Sequence, residues 1–174
     1  MKYPNVGDTR GTMMGCKPKR MLEPGDHAPD FKLKDTKGGK LDLATTLKSG
    51  PVLLFFFKLS CPVCQMTAPF MERLAAGKEI QVVGISQDDY DATAAFVRRF
   101  GLTFPILLDP VRAGYLVSNG FGINSVPCTF IVEPGLELST AYAGFSKADL
   151  ALIGARMGVE PFRVEEKVPA FRAG

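Results

Sequence analysis

Tryptophan is absent from this 174-residue chain, and histidine occurs only once. Because thirteen phenylalanines are present, we expect the core to be filled by phenylalanine and aliphatic side chains. A hydrophobic share of 46% is ordinary for a globular protein, and the length is sufficient for one domain with a sizeable core.

Long apolar segments are also missing. The longest apolar run, residues 52–57, is far shorter than the ~18 residues that a membrane span needs. The first residues, MKYPNVGDTRG, lack the apolar region of a signal peptide. Taking Met1 as the natural start, we therefore expect a cytoplasmic protein that does not associate with membranes.

The chain carries little excess charge, with a formal net charge of +3. Residues 1–40 hold nine Lys and Arg against five Asp and Glu, so the surplus lies near the N-terminus, where Lys17, Lys19 and Arg20 cluster. No aromatic residues are interspersed among these three charges. A solvated basic arm is therefore favoured over a nucleic-acid or acidic-partner site, and no nucleic-acid partner is expected.

Only four cysteines are present, Cys16, Cys61, Cys64 and Cys128. In a reducing compartment they would not form a structural disulfide framework. The close pair, Cys61 and Cys64, is typical of a redox or a metal site. The spacing of this pair supplies half of a zinc site, but the other two cysteines are isolated and His27 is the single histidine, so no metal is expected.

The hydrophobic pattern predicts an α/β fold with a mixed sheet covered on both faces. The predicted elements are a hairpin around residues 37–40, a buried strand at 51–57, a helix at 61–76, a strand at 80–85, a helix at 89–100 with Ala92, Ala95, Phe96 and Phe100 facing inward, a strand at 104–108, a hairpin of 129–132 with 136–142, and a helix from the capping box at Ser146 to about Met157.

The sequence Ser60-Cys61-Pro62-Val63-Cys64 lies between the buried strand and the helix that follows it. At a helix N-cap, free backbone N–H groups and the positive end of the dipole favour a thiolate at Cys61. Pro62 at the first helical position loses no required hydrogen bond. Cys64 lies one turn further along, close enough to attack a mixed disulfide formed on Cys61. The spacing therefore predicts a dithiol/disulfide couple.

Several ordered segments resemble the thioredoxin superfamily. CPVCQMTAPFMERLA resembles its active-site helix, FGINSVPCTFIVEPG its cis-proline segment, and AGFSKADL the turn into its final helix. PGDHAPDFKLKDTKGGKLDL and DDYDATAAFVRRFGLTFPILLD resemble the hairpin and the inserted helix and strand of the alkyl hydroperoxide reductase/thiol-specific antioxidant (redoxin) and TlpA-like branch. The resemblance implies a thioredoxin-like fold over residues 24–158, between a basic arm at 1–23 and a tail at 159–174.

The resemblance also implies roles for individual residues. Cys61 and Cys64 are expected to be catalytic, and Val126 with Pro127 is expected to form a cis peptide that presents backbone groups to a substrate. Thioredoxins have a buried acid where this chain has Phe55, and TlpA-like relatives often have Glu where this chain has Thr67. We therefore expect water or an unidentified group to accept the proton of Cys64.

Peroxiredoxins precede their peroxide-attacking cysteine with Pro-x-x-x-Thr/Ser-x-x-Cys. When this motif is aligned so that its cysteine is Cys61, Leu54 stands at the proline position and Lys58 at the Thr/Ser position. Because both motif residues are absent, a thiol peroxidase with an antioxidant role is only the second hypothesis. A zinc-bound or redox-silent interaction domain is the third.

Lys58, Pro62, Thr67 and Cys128 are candidate modulators of the cysteine pair. Strand alternation directs Cys128 away from the site. We expect a monomeric thiol-disulfide oxidoreductase without a cofactor, acting on protein or small-molecule disulfides and thiols with a cellular thiol reductant.

Overall fold

A computed structural model describes residues 20–174. Residues 1–19, with Cys16 and most of the predicted basic arm, lie outside the described residues. The central sheet has five strands in the order β5-β4-β3-β6-β7. They are β3 (Val52–Phe57), β4 (Gln81–Ser86), β5 (Ile106–Leu108), β6 (Cys128–Val132) and β7 (Leu138–Ala143). β3, β4 and β5 are parallel, whereas β6 is antiparallel to β3 and β7 is antiparallel to β6.

Strand β3 is buried at all six positions because it is in the middle of the sheet and both faces of the sheet are covered. Its side chains alternate between two hydrophobic cores. Phe55 and Phe57 enter the first core, and Leu54 and Phe56 enter the second. Burying a large apolar side chain stabilises the fold by about 1.5–3 kcal/mol, so this strand contributes strongly to both cores.

Three helices contribute to the first core, namely α2 (Pro62–Leu74), α3 (Tyr90–Phe100) and α5 (Lys147–Met157). Two short helices contribute to the second core, α1 (Leu43–Thr46) and α4 (Leu116–Gly120). The chain also forms the hairpin of β1 (Lys32–Lys34) with β2 (Lys40–Asp42), and 3-10 turns at Leu47–Ser49 and Val111–Ala113.

The predicted mixed α/β sheet with helices on both faces is confirmed. Among residues 20–174, no helix is both long and apolar enough to cross a membrane.

The inward face of α3 matches the prediction at Phe96 and Phe100 and differs from it at the two alanines. Ala92 and Ala95 are exposed, whereas Thr93 and Phe96 are buried. Phe96 stacks on Phe57 with ring centroids 5.4 Å apart, and the Thr93 hydroxyl lies 2.8 Å from the Ser86 hydroxyl. The pattern alone was misleading because a threonine with a hydrogen-bond partner can replace an alanine on the buried face.

Residues 159–174, predicted as a tail, fold back against the domain. Phe162 packs on Phe70 with ring centroids 5.1 Å apart. The Arg73 guanidinium donates two hydrogen bonds, of 2.6 and 2.7 Å, to the Glu166 carboxylate. Further along, β9 (Phe171–Arg172) pairs antiparallel with β8 (Phe145–Ser146).

The attachment of this segment should depend on pH through Glu166. The hydrogen bonds from Arg73 lower the pKa of Glu166 from 4.5 to about 2. A carboxyl group whose pKa is lowered by folding stabilises the folded form above its unfolded pKa and loses that contribution as the pH falls. We expect amide exchange in residues 159–174 to accelerate relative to the core between pH 4.5 and pH 2. Hydrogen–deuterium exchange with mass spectrometry measures this. If amide exchange in residues 159–174 accelerated equally over this pH range in Glu166→Gln, the role of the Glu166 carboxylate would be contradicted.

Candidate active site

Cys61 is the N-cap of helix α2, at the end of the loop that follows β3. Its backbone is extended, with φ −85° and ψ 115°, and Pro62 occupies the first turn. The Cys61 sulfur accepts a hydrogen bond of 3.2 Å from the backbone N–H of Cys64. A negative charge on this sulfur would therefore face a free N–H group and the positive end of the helix dipole.

Cys64 lies one helical turn further and is completely buried in the first core. Burial raises the pKa of the Cys64 thiol well above its usual range, and the adjacent Cys61 thiol raises it further. Cys64 is therefore a neutral thiol at physiological pH. The two cysteines are adjacent but differ in access, since Cys61 is half-exposed.

The peptide bond between Val126 and Pro127 is cis, as predicted from the sequence. It precedes β6, which pairs directly with β3, so the bond lies at the same edge of the sheet as Cys61. The Cys61 thiol donates a hydrogen bond of 3.4 Å to the Val126 carbonyl oxygen. The structure thus brings Cys61, Cys64 and Val126 together, as the resemblance implied.

Two side chains that the sequence analysis did not single out position the loop before Cys61. The Asp88 carboxylate accepts a hydrogen bond of 2.7 Å from the Leu59 N–H, and the Gln65 amide donates one of 2.8 Å to the Leu59 carbonyl. Asp88 comes soon after β4, which is parallel to β3. The carboxyl ends of parallel strands meet at one edge of the sheet. A polar residue soon after β4 is therefore expected near the loop that follows β3, and this signal would have identified Asp88.

The candidate modulators occupy different environments. Pro62 is exposed, and Lys58 is half-buried at the end of β3. Thr67 is buried, and its hydroxyl donates a hydrogen bond of 2.7 Å to the Val63 carbonyl. Cys128 lies in the second core, across the sheet from the core that holds Cys64. Its thiol donates to the Ser125 carbonyl at 3.1 Å, and burial raises its pKa to about 12.

A cavity of about 370 Å³ opens beside this site. Its lining includes Lys58 and Val126, together with polar side chains from the loops after β4 and before β6. The buried carboxylate of Asp109 organises part of the lining, because it accepts hydrogen bonds of 2.7 Å from both the N–H and the hydroxyl of Ser118. The Ser118 hydroxyl in turn accepts one of 3.1 Å from the Gln87 amide.

Metal-ligating side chains do not cluster in the part of the chain that the structure describes. Over residues 20–174, no three His, Cys, Asp or Glu side chains are placed to hold an ion.

The difference in access predicts the order in which the cysteines react. At a limiting dose of iodoacetamide, Cys61 should be alkylated well before Cys64 and Cys128, because both of these are buried and have raised pKa values. Peptide mass mapping of the reduced protein measures the order, and labelling in denaturant is the control. Preferential labelling of Cys64 would contradict the assignment.

Comparisons with known proteins agree with this geometry. The sequence profile of the AhpC/TSA family matches residues 24–154. The thiol-disulfide oxidoreductase ResA of Geobacillus kaustophilus is 31% identical over 138 residues, which cover 76% of each chain.

Two solved structures are similar as well. DsbF of MTB, in mixed oxidised and reduced forms, has a TM-score of 0.63 and 26% identity over 73% of this chain and 94% of its own. The peroxidoxin BcpB of Mycobacterium tuberculosis has a TM-score of 0.65 and 27% identity over 77% of this chain and 97% of its own. The predicted thioredoxin-like fold and the redoxin and TlpA-like branch are confirmed, and the chain belongs to the AhpC/TSA family as an oxidoreductase of the thiol-disulfide class.

Proposed function

We propose that Cys61 and Cys64 form the redox couple with which this protein exchanges thiols and disulfides, and that Cys61 is the nucleophile. The observation that carries the proposal is the pairing of a half-exposed sulfur at the N-terminus of α2 with a buried thiol one turn further along. The activity of relatives such as ResA, a thiol-disulfide oxidoreductase, supports it.

In the reducing direction, the Cys61 thiolate attacks one sulfur of a substrate disulfide. A bond forms between Cys61 and that sulfur, the substrate disulfide breaks, and the other sulfur leaves as a thiolate. The Cys64 sulfur then attacks Cys61, which forms the Cys61–Cys64 disulfide and releases the second substrate thiolate. The substrate has gained two electrons, and an external dithiol reduces the protein again by the reverse steps.

Cys64 must lose its proton before it attacks. Besides burial, the groups that act on its pKa are other thiols and the Lys58 backbone, and no carboxylate of the described residues is among them. Thr67 cannot take the proton, because a hydroxyl that donates to the Val63 carbonyl is not a base at neutral pH. The first substrate thiolate, released next to the pair, is a base strong enough to take it.

The partners proposed are therefore disulfide or thiol substrates in general, with a cellular thiol as reductant. We also propose the cytoplasm as the compartment, which the sequence predicted. A reducing compartment suits this direction because cellular dithiols there regenerate the reduced pair.

Peroxidase activity is the second candidate, and the similarity to the peroxidoxin BcpB favours it. A peroxidase needs donors that stabilise the charge developing on the peroxide oxygen. The positions that carry the proline and the hydroxyl in peroxiredoxins are occupied here by Leu54, which is buried, and Lys58. The hydrogen-bond partners of the Cys61 sulfur in the described residues are the Cys64 N–H and the Val126 carbonyl.

Substituting each cysteine in turn separates the two proposed roles. Cys64→Ser should accumulate a mixed disulfide on Cys61 when bis(hydroxyethyl) disulfide is added, because the resolving thiol is gone. Cys61→Ser should neither form the adduct nor turn over, and Cys128→Ser serves as the control that keeps wild-type activity. Intact-protein mass spectrometry measures the adduct. An adduct on Cys64 in the Cys61→Ser protein would reverse the roles.

Peroxide turnover should be slow compared with disulfide exchange. Removing a single donor that stabilises transition-state charge commonly costs about 10²–10³ in rate, and this site lacks the residues that supply such donors in peroxiredoxins. Stopped-flow oxidation of the reduced protein by hydrogen peroxide, compared with bis(hydroxyethyl) disulfide, measures the difference. If peroxide oxidised Cys61 faster than the disulfide did, the peroxidase would become the main function.

A further inference from the structure

The C-terminal segment, residues 171–174, lies against the cis peptide beside Cys61. A Cβ atom placed on Gly174 would be 2.6 Å from the carbonyl carbon of Val126 and 3.1 Å from the nitrogen of Pro127. The first of these distances is too short for a real Cβ atom, so the backbone of Gly174 packs directly on the backbone of Val126 and Pro127, which only glycine permits. Since the Val126 carbonyl also accepts the hydrogen bond from the Cys61 thiol, the segment reaches the immediate surroundings of the nucleophile.

Several contacts hold the C-terminal segment there. β9 pairs with β8, and the Lys147 N–H donates a hydrogen bond of 3.0 Å to the Ala170 carbonyl. Gly144, with φ +79°, leaves room for the segment, because a Cβ atom there would overlap the Arg172 carbonyl oxygen. The ion pair between Arg73 and Glu166 fixes the chain just before it.

These contacts have a consequence for polypeptide substrates. In the thioredoxin-like arrangement that the sequence implied, an extended substrate chain would use the backbone next to the cis-proline. Here the protein's own C-terminal segment covers that backbone at Val126 and Pro127. A polypeptide must displace residues 171–174 before it can lie along the site.

The cavity beside Val126 stays open. It has a volume of about 370 Å³, which lies in the size range of small-molecule sites. Most of its lining residues are polar, among them Gln87, Asn119, Asn124 and Ser125. Lys58 is the single charged lining residue among residues 20–174. The cavity therefore offers amide and hydroxyl groups for hydrogen bonds and one positive charge for an anion.

We propose that the preferred disulfide of this site is a small, polar molecule that bears carboxylates, bound in the cavity beside Lys58. The C-terminal segment disfavours extended polypeptides. This inference rests on the proposed function, because the reaction is the same exchange at Cys61. The thiolate attacks the small disulfide, one carboxylate-bearing thiolate leaves, and Cys64 displaces the second one as the protein disulfide forms.

The role of Lys58 is tested by comparing two small disulfides. Glutathione disulfide carries carboxylates, whereas bis(hydroxyethyl) disulfide is neutral. We expect Lys58→Gln to lower the ratio of kcat/KM for glutathione disulfide over bis(hydroxyethyl) disulfide by about tenfold, the loss typical of one charge-assisted hydrogen bond. The ratio cancels any general effect on the reactivity of Cys61. Lys48→Gln is the matched control, because Lys48 is exposed and precedes β3 at its opposite end.

The role of the segment is tested with insulin as a polypeptide disulfide. The measured quantity is the rate of insulin reduction divided by the rate of bis(hydroxyethyl) disulfide reduction. In a protein that ends at Ala170, this ratio should be about tenfold higher than in the full chain. Glu166→Gln should raise this ratio in the same direction, because it loosens the anchor at Arg73. Glu165→Gln, with the same change of charge at the neighbouring exposed residue, is the control.

The outcomes distinguish a failure of the proposed function from a failure of the proposed substrate class. If the full chain reduces neither small disulfide, the proposed function itself fails. If it reduces bis(hydroxyethyl) disulfide but Lys58→Gln leaves the glutathione ratio unchanged, the anionic substrate class is overturned. If the shortened chain reduces insulin no better than the full chain does, the covering role of residues 171–174 is overturned.

Discussion

The complete burial of β3 on both faces is the constraint on which the rest of this structure depends. Six consecutive apolar residues, with three phenylalanines at the end, must alternate between two cores, so helices have to cover both sides of the sheet. The chain then leaves the sheet at Lys58, at an edge where polar groups are again in contact with solvent. The proposed redox pair, Cys61 and Cys64, and the cis peptide at Val126 lie at or near that edge.

At this edge the two cysteines acquire opposite properties from one helix. Cys61, at the N-cap, faces a free N–H group and the positive end of the dipole, both of which favour negative charge on sulfur. Cys64, one turn later, faces the first core, where burial disfavours its charge. A pair with one accessible sulfur and one protected thiol suits a two-step exchange, since the second attack waits until the first has created a disulfide next to it.

The surroundings of Cys61 come from distant parts of the chain. Asp88 orients the preceding loop from the end of β4, and Val126 brings a carbonyl to the sulfur from the start of β6. The C-terminal segment then covers the backbone at Val126, while the cavity beside Lys58 is left open. Because the backbone beside Cys61 is covered and the neighbouring cavity is open, the site favours a small substrate over an extended chain.

The sequence by itself determined the fold class, the main elements and the cysteine pair. These depend on local signals, namely a continuous apolar run, the spacing of Cys61 and Cys64, and the proline that opens the helix. The cis peptide at Val126 also followed from a local resemblance. By contrast, the prediction that Ala92 and Ala95 face inward on α3 was wrong, because Thr93 takes the buried position and the Ser86 hydroxyl that satisfies it comes from a neighbouring strand.

Tertiary structure alone decided the contacts between segments far apart in the chain. The hydrogen bond from the Leu59 N–H to Asp88 and the return of residues 171–174 to Val126 each join segments that are at least 29 residues apart. The sequence could place Asp88 at the end of β4, but it could not show which backbone group Asp88 would bind. A polar residue in a loop looks the same in sequence whether it faces solvent or a backbone donor from another strand. Its partner is chosen only when the buried strands have set the distance between the loops.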